Sequence, residues 1–264
     1  MPAAYAHYVF GQKVLRELPR DLQERIKDYL PLYHIGLHGP DILFYYEPLH
    51  ANEVNQLGTK MHNENADAFF ERAKQLIMSA SGEEKMAMEA YIAGFICHFM
   101  LDSECHGYIA EKMAESEISH SEIETEFDSM LMRKKGLDPH TRNAALHLVV
   151  NKNCAQIIAP FFDLKPKQIL KAVSSMKRYH QLLLVPKKPK RLLIDTALKI
   201  SGNYDTMHGM MVNEEPNPHC VDSNWELFRR LKNAVEPCEE LIEEYLDVCN
   251  GTQTLNERFS RNYE

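Results

Sequence analysis

Four things are scarce or missing in this chain of 264 residues, and each absence excludes something. Alternation of apolar and polar residues between turn signals, the mark of half-buried strands, is essentially absent, which argues against a sheet protein. No apolar stretch approaches the ~20 residues needed to span a bilayer. The six cysteines, at 97, 105, 154, 220, 238 and 249, form no C-x-x-C pair and no tight framework, so they read as reduced, mostly buried thiols. Positive charge is in deficit, with a net charge of −8, which argues against a nucleic-acid backbone as the main partner. Residues 1–20 also lack a basic start followed by an apolar run. No export signal is visible there, and a cytoplasmic location is the expectation.

What is present is helical periodicity. His62, Ala66, Phe69, Phe70, Ala73, Leu76 and Ile77 recur at i, i+4, i+7, i+8, which predicts an amphipathic helix starting just after Gly58. Residues 84–106 continue the pattern through Met86, Ala90, Ala93, Cys97 and Leu101, with Gly107 as the expected stop. Further helices are predicted at 120–135, 138–154, 165–182, 190–202 and 222–247, punctuated by prolines. Two segments, 31–58 and 203–221, are rich in Pro and Gly and lack a helix period, so they are expected to be long loops. The basic run KKPKR at 187–191 reads as a solvated linker between helices. No internal repeat or composition break divides the chain. The fold class is all-α, a single-domain multi-helix bundle over residues 1–264.

Thirteen histidines are many for this length, and eight fall within the first 120 residues. The stretch GFICHFMLDSECHGYI at 94–109 places His98, Asp102 and His106 four residues apart within an apolar run. Three ionisable groups on one stripe of a buried helix need compensation, because leaving them unpaired costs several kcal/mol each, roughly. On a helix, i and i+4 side chains sit about 6 Å apart along the axis, so His98 and Asp102 can hold one cation together. His106 lies about two turns from His98, too far to share that ion, and Asp102 has a second oxygen with which to bridge to another. His120 and Glu124 repeat the i, i+4 pairing on a helix start with Ser119 as its cap. His62, Asp41 after Gly39-Pro40, and His7 are further candidates. Singly placed histidines (34, 38, 50, 140, 147, 180, 208 and 219) read as hydrogen-bonded structural residues, and Met61, Met86, Met88 and Met100 as core filler.

The order of these motifs resembles the zinc-dependent phospholipases C of bacteria and their relatives, the single-strand-specific nucleases of fungi and plants. The resemblance lies in His7, then GPD ending at Asp41, His62, H-x3-D (His98, Asp102), His106, and H-x3-E (His120, Glu124), and it covers roughly residues 1–130. It implies a mostly helical fold with two or three zinc ions at the base of a cleft. By position, one zinc would take Asp41, His62, His98 and Asp102, and a second His106, His120 and Glu124. A third would take His7 and Asp102 with the terminal amine. The implied chemistry is attack of a metal-activated water on a lipid or small-molecule phosphodiester, with Asp41 orienting or deprotonating that water. Two departures stand out. Relatives bind the third metal through an N-terminal Trp, whereas here the chain begins MPAAYAH and its single Trp is Trp225. The Asp102–His106 interval is also shorter than in the secreted enzymes.

Three other readings compete. A non-catalytic helical module with structural zinc would favour cysteine-rich sites, but Cys97 and Cys105 lie one residue out of phase with the ligand face. A single-strand nuclease lacks here a basic segment interleaved with aromatics. A di-metal carboxylate bundle needs two Glu-x-x-His motifs. Glu117-x-x-His120 supplies one, and the other match, Glu47-Pro-Leu-His50, contains proline. A phosphohydrolase using an adjacent His-Asp pair is excluded, since no such dipeptide occurs.

Overall fold

The computed structural model describes residues 4–200, 202, 204–251 and 254–263. Among them are helices and no strands. The first is α1 (Ala4–Glu17), followed by α2 (Arg20–Asp28), α3 (Leu30–Gly36), α4 (Glu53–Asn63) and α5 (Asp67–Ser79). Next come α6 (Gly82–Glu115), α7 (His120–Lys134), α8 (Lys152–Phe162) and α9 (Pro166–Leu182). The chain continues through α10 (Lys188–Ile200), the single turn α11 (Tyr204–Met207), α12 (Val221–Asn233) and α13 (Val235–Cys249).

The 34-residue α6 is the axis of the molecule. From Ala87 to Asp102 every one of its residues is buried, so it is enclosed on all sides and is apolar apart from Glu89, His98 and Asp102. Helices α1, α2, α3, α5, α7, α8, α12 and α13 all pack against it. The closest crossing is with α3, and it is built on glycine. A Cβ at Gly94 would stand 2.2 Å from the Tyr33 carbonyl oxygen, and one at Gly36 would stand 2.2 Å from that of Tyr91. All six cysteines are free and buried; Cys97 Sγ lies 3.8 Å from Cys238 Sγ and 3.4 Å from the Tyr33 hydroxyl. A second, smaller apolar cluster of Leu183, Val185, Ile194, Leu198, Met207 and Met211 forms apart from the main core.

Several boundaries differ from the sequence expectation. The expected loop at 31–58 holds α3, a 3-10 helix at Gly39–Tyr45 and the start of α4. Pro31 and Pro40 fall in the first turn of their elements, where a missing N–H costs nothing. The helix expected to begin after Gly58 begins at Glu53, because Asn52 closes a capping box with Asn55. His62 therefore sits in the last turn of α4, and α5 is a separate helix. Gly107 does not stop α6, which runs two further turns and buries Ile109. The helix predicted at 138–154 does not form. Lys177 of α9 donates to the carbonyls of Leu146 (3.3 Å) and Leu148 (2.7 Å), and Asn151 caps α8 only at Lys152. The 222–247 helix is broken between Asn233 and Val235, since Pro237 has no N–H to give and its ring would meet the Asn233 carbonyl. KKPKR is not a linker but the opening of α10. No helix among the described residues is long and apolar enough to cross a membrane.

Candidate metal centre

The buried stretch of α6 ends on the ionisable stripe, and neighbouring elements bring their own donors to it. His98 and Asp102 are buried, and His98 Nε2 stands 3.0 Å from Asp102 Oδ2. The other carboxylate oxygen, Oδ1, faces His7 Nε2 of α1 at 3.1 Å and His106 Nε2 at 3.6 Å. Asp102 thus has one oxygen turned toward His98 and the other toward His7 and His106.

Two anchors fix the donors that come from outside α6. Asp128 on α7 accepts from the backbone N–H groups of Tyr5 (2.9 Å) and Ala6 (2.7 Å), which clamps the first turn of α1 just ahead of His7. Gly39 holds a positive φ of 44°, and its missing Cβ would lie 2.1 Å from the His98 ring. Only glycine lets the 3-10 helix approach so closely, and two residues on it presents Asp41, whose Oδ2 lies 3.6 Å from His98 Nδ1. His62 Nδ1 donates to the Gly58 carbonyl (2.8 Å), so in the neutral ring Nε2 carries the lone pair. That nitrogen points at Asp41 Oδ1, 2.9 Å away.

A second group forms where α7 begins. Ser119 caps the helix by accepting from the Glu122 N–H, as the sequence suggests. His120 Nε2 then lies 3.1 Å, and His106 Nε2 3.6 Å, from the same Glu124 oxygen. Donor atoms of His7, Asp41, His98 and Asp102 all lie within 4.8 Å of one another, and so do those of His106, His120 and Glu124. The eight residues picked from the sequence are therefore brought together. His7 joins the first group rather than standing apart, and His62 reaches that group through Asp41. The terminal amine expected at a third metal belongs to Met1, outside the described residues.

Three observations test whether such residues fit a divalent cation. His98 Nε2 and Asp102 Oδ2 stand 3.0 Å apart, yet each is a buried atom with no hydrogen-bond partner. His7 Nδ1, Asp41 Oδ2 and Glu124 Oε2 are in the same condition. Leaving buried polar groups unsatisfied costs about 1–3 kcal/mol each, more for charges. Next, donors around one tetrahedral zinc, each about 2.0–2.2 Å from the ion, stand roughly 3.3–3.5 Å from one another. The close pairs here stand 2.9 to 3.6 Å apart, with His62 Nε2 3.9 Å from Asp102 Oδ2 and all donors of a group within 4.8 Å of one another. Finally, a lone pair on His62 aimed at a carboxylate oxygen is repulsive unless a proton or a cation lies between. The donor set fits zinc.

Without a cation the carboxylates recruit protons instead. Burial pulls His106 down, but Asp102 and Glu124 outweigh it and raise it to about 9. Burial likewise opposes the charge on Asp102, which His98, His106 and His7 nonetheless hold well below the usual carboxylate range. Glu124 is held low in the same way by His120 and His106. Both groups border a cleft of about 380 Å³ walled by Asp41, Phe44, His62, His106, His120 and Glu124.

Compared with known proteins, residues 6–176 match the sequence model of the zinc-dependent phospholipases C, a span that contains all eight of these residues. The chain belongs to the zinc-dependent phospholipase C family. No curated protein and no solved structure matches it.

Sequence reasoning overlooked several groups that frame the site of this phospholipase C relative. Tyr263, near the C-terminus, is buried with its ring 5.2 Å from that of His62 and 5.9 Å from that of His98. Nothing local marks it in the sequence. In sequence, His38 and His147 read as ordinary structural histidines. Their Nε2 atoms meet at 2.8 Å directly behind His7, with Tyr8 stacked on His147. Burial drives both imidazoles well below their usual range, so this pair is neutral backing for His7. The i, i+4 spacing of His34 and His38 was the one available signal.

Proposed function

We propose that this member of the family is a metal-dependent hydrolase of phosphodiester bonds, acting on the head group of a phospholipid or a small phosphodiester. The observation that carries the reading is the sharing of Asp102 between two groups of donors that border one cleft, with Asp41 on its wall. His7, Asp41, His98 and Asp102, with His62, would hold one zinc, and His106, His120 and Glu124 another. Bound zinc supplies Lewis acidity toward phosphoryl oxygens and lowers the pKa of a coordinated water toward ~7.

The remaining steps belong to side chains. Asp102 holds the two donor groups at a fixed interval, so a phosphate can lie across both. Asp41, on the cleft wall, takes the proton from the attacking water, with His62, braced by Gly58, beside its Oδ1. His106, His120 and Glu124 line the cleft, so a metal they would hold would face the substrate. Phe44, 5.1 Å from the His62 ring, supplies an apolar wall against which the alcohol half of the diester rests.

Elemental analysis of protein purified without chelator tests this: two or three zinc ions per chain are expected, about one per donor group. Less than one, with the helical content intact, overturns it. Release of a phosphorylated head group from phospholipid, with single-stranded DNA left uncut, separates the lipid reading from the nuclease one.

A further inference from the structure

The acidic total hides a strong internal asymmetry. Residues 133–199 carry fifteen lysines and arginines against three acidic residues, while the rest of the chain carries fifteen against thirty-five. Helix α10 closes this basic segment and lies beyond residue 176, where the family match ends.

One face of α10 is accounted for. Ile194 and Leu198 are buried in the small satellite cluster. Lys190 donates to the Leu184 carbonyl, Arg191 to that of Val212, and Asp195 meets His208 Nδ1 at 3.1 Å. The opposite face is where an ordinary surface helix turns polar, and this one does not. Leu192 and Leu193 are each 69% exposed and Ile200 is 84% exposed. Leu193 and Ile200 are seven residues apart, two helical turns, so they share one outward stripe with Pro189 and Ala197. Lys187 and Lys188 precede the stripe and Lys199 flanks its end, all exposed, with Lys188 3.5 Å from Glu214 and Lys199 over the Tyr204 ring. Single exposed aliphatics are unremarkable, but a stripe of them rimmed by like charge marks a binding surface.

We propose that α10 is an interfacial anchor that seats this protein on an anionic bilayer. Leu192, Leu193 and Ile200 enter the boundary between head groups and acyl chains, and Lys187, Lys188 and Lys199 meet the lipid phosphates. The choice of a bilayer rests on the lipid-substrate reading above, and the sign of its charge rests on the lysines. A single nucleic-acid strand is the weaker fit, because α10 carries no aromatic side chain on which a base stacks. The anchor is also tied to the site. The 3-10 helix His208–Met210, next to the satellite cluster, packs on the first turn of α7, where a Cβ at Gly209 would stand 2.7 Å from Ser119 Oγ. That turn begins with His120, so the segment carrying the anchor is in packing contact with the helix that supplies the second donor group.

Vesicle co-sedimentation of the full chain tests the proposal. Binding is expected on vesicles containing about 30 mol% phosphatidylserine, at least about tenfold weaker on pure phosphatidylcholine, and weaker still when salt is raised. The triple variant Leu192→Ser, Leu193→Ser, Ile200→Ser should lose about tenfold or more of this binding while keeping its helical content and zinc content. The pair Lys187→Glu, Lys199→Glu should abolish the preference for phosphatidylserine. Unchanged binding of the triple variant overturns the anchor, and so does a wild type that ignores vesicles. A concentration-dependent dimer, or RNA binding without vesicle binding, that the triple variant removes also overturns it. If wild type binds vesicles yet hydrolyses neither lipid nor a soluble short-chain diester, the anchor stands and the hydrolase reading falls. Hydrolysis of the soluble diester without vesicle binding sinks only the anchor.

Discussion

Asp41 illustrates how a single side chain separates catalysis from stability. It is buried on the cleft wall, with Oδ1 2.9 Å from His62 Nε2 and Oδ2 3.6 Å from His98 Nδ1. Asp41→Asn preserves shape and one acceptor oxygen but removes the proton acceptor. Turnover is expected to fall by about 10²-fold or more while the melting temperature falls by less than it does on stripping zinc with a chelator; steady-state kinetics beside calorimetry checks it. A structural zinc site would show the reverse. His106 supplies a second test. In the metal-free protein it is held protonated up to about 9, so loading zinc near neutral pH must displace that proton. Titration calorimetry in buffers of different ionisation heat should count at least about one proton released at pH ~7 and fewer above ~9. The stability sign follows from the same shift. A folded pKa raised above the unfolded ~6.5 stabilises the metal-free protein below ~6.5, and this contribution is lost as pH rises through about 9.

At the scale of the element, sequence was most informative where one helix carries the whole pattern. The H-x3-D-x3-H interval needed only helix pitch to show that His98 and His106 serve different groups while Asp102 faces both. His120 and Glu124 were legible for the same reason, with Ser119 marking their helix start. What could not be read came from contacts distant in sequence. Lys177 draws the 138–151 segment away from helical bonding, and Asp128 clamps a helix more than a hundred residues earlier. Tyr263 reaches His98 from the far end of the chain. The α3–α6 crossing is another such contact, invisible until Gly36 and Gly94 face each other. Gly94→Ala drives a methyl group into the Tyr33 carbonyl, so a loss of about 3 kcal/mol or more is expected in denaturant unfolding. Since α6 carries the donors, zinc content should fall with it.

For the whole molecule, the central fact is that the buried stretch of its longest helix ends in a cluster of charged side chains. Asp41, Asp102, Glu124 and His98 are all buried, and an apolar core offers them no solvation. A tightly bound cation would resolve that conflict and, by binding only the folded state, would add stability by mass action. At free zinc about a thousand times the dissociation constant the gain is about 4 kcal/mol. Stripping the protein with a chelator should therefore lower its melting temperature by several degrees, reversibly on adding zinc back, and scanning calorimetry reads this directly. The same picture explains why composition alone misled about surface character. An excess of acid spread over most of the chain conceals a concentrated basic segment ending in α10.

The unbroken backbone of α6 has one more consequence. Its hydrogen bonds act as a ruler, so the interval from His98 to His106 is quantised in residues rather than adjustable in ångströms. Inserting or deleting one residue there would swing everything downstream by about 100° and slide it by ~1.5 Å, turning His106 away from Glu124. Between these two histidines Asp102 is not free to drift in kind, and the chain is not free to drift in count.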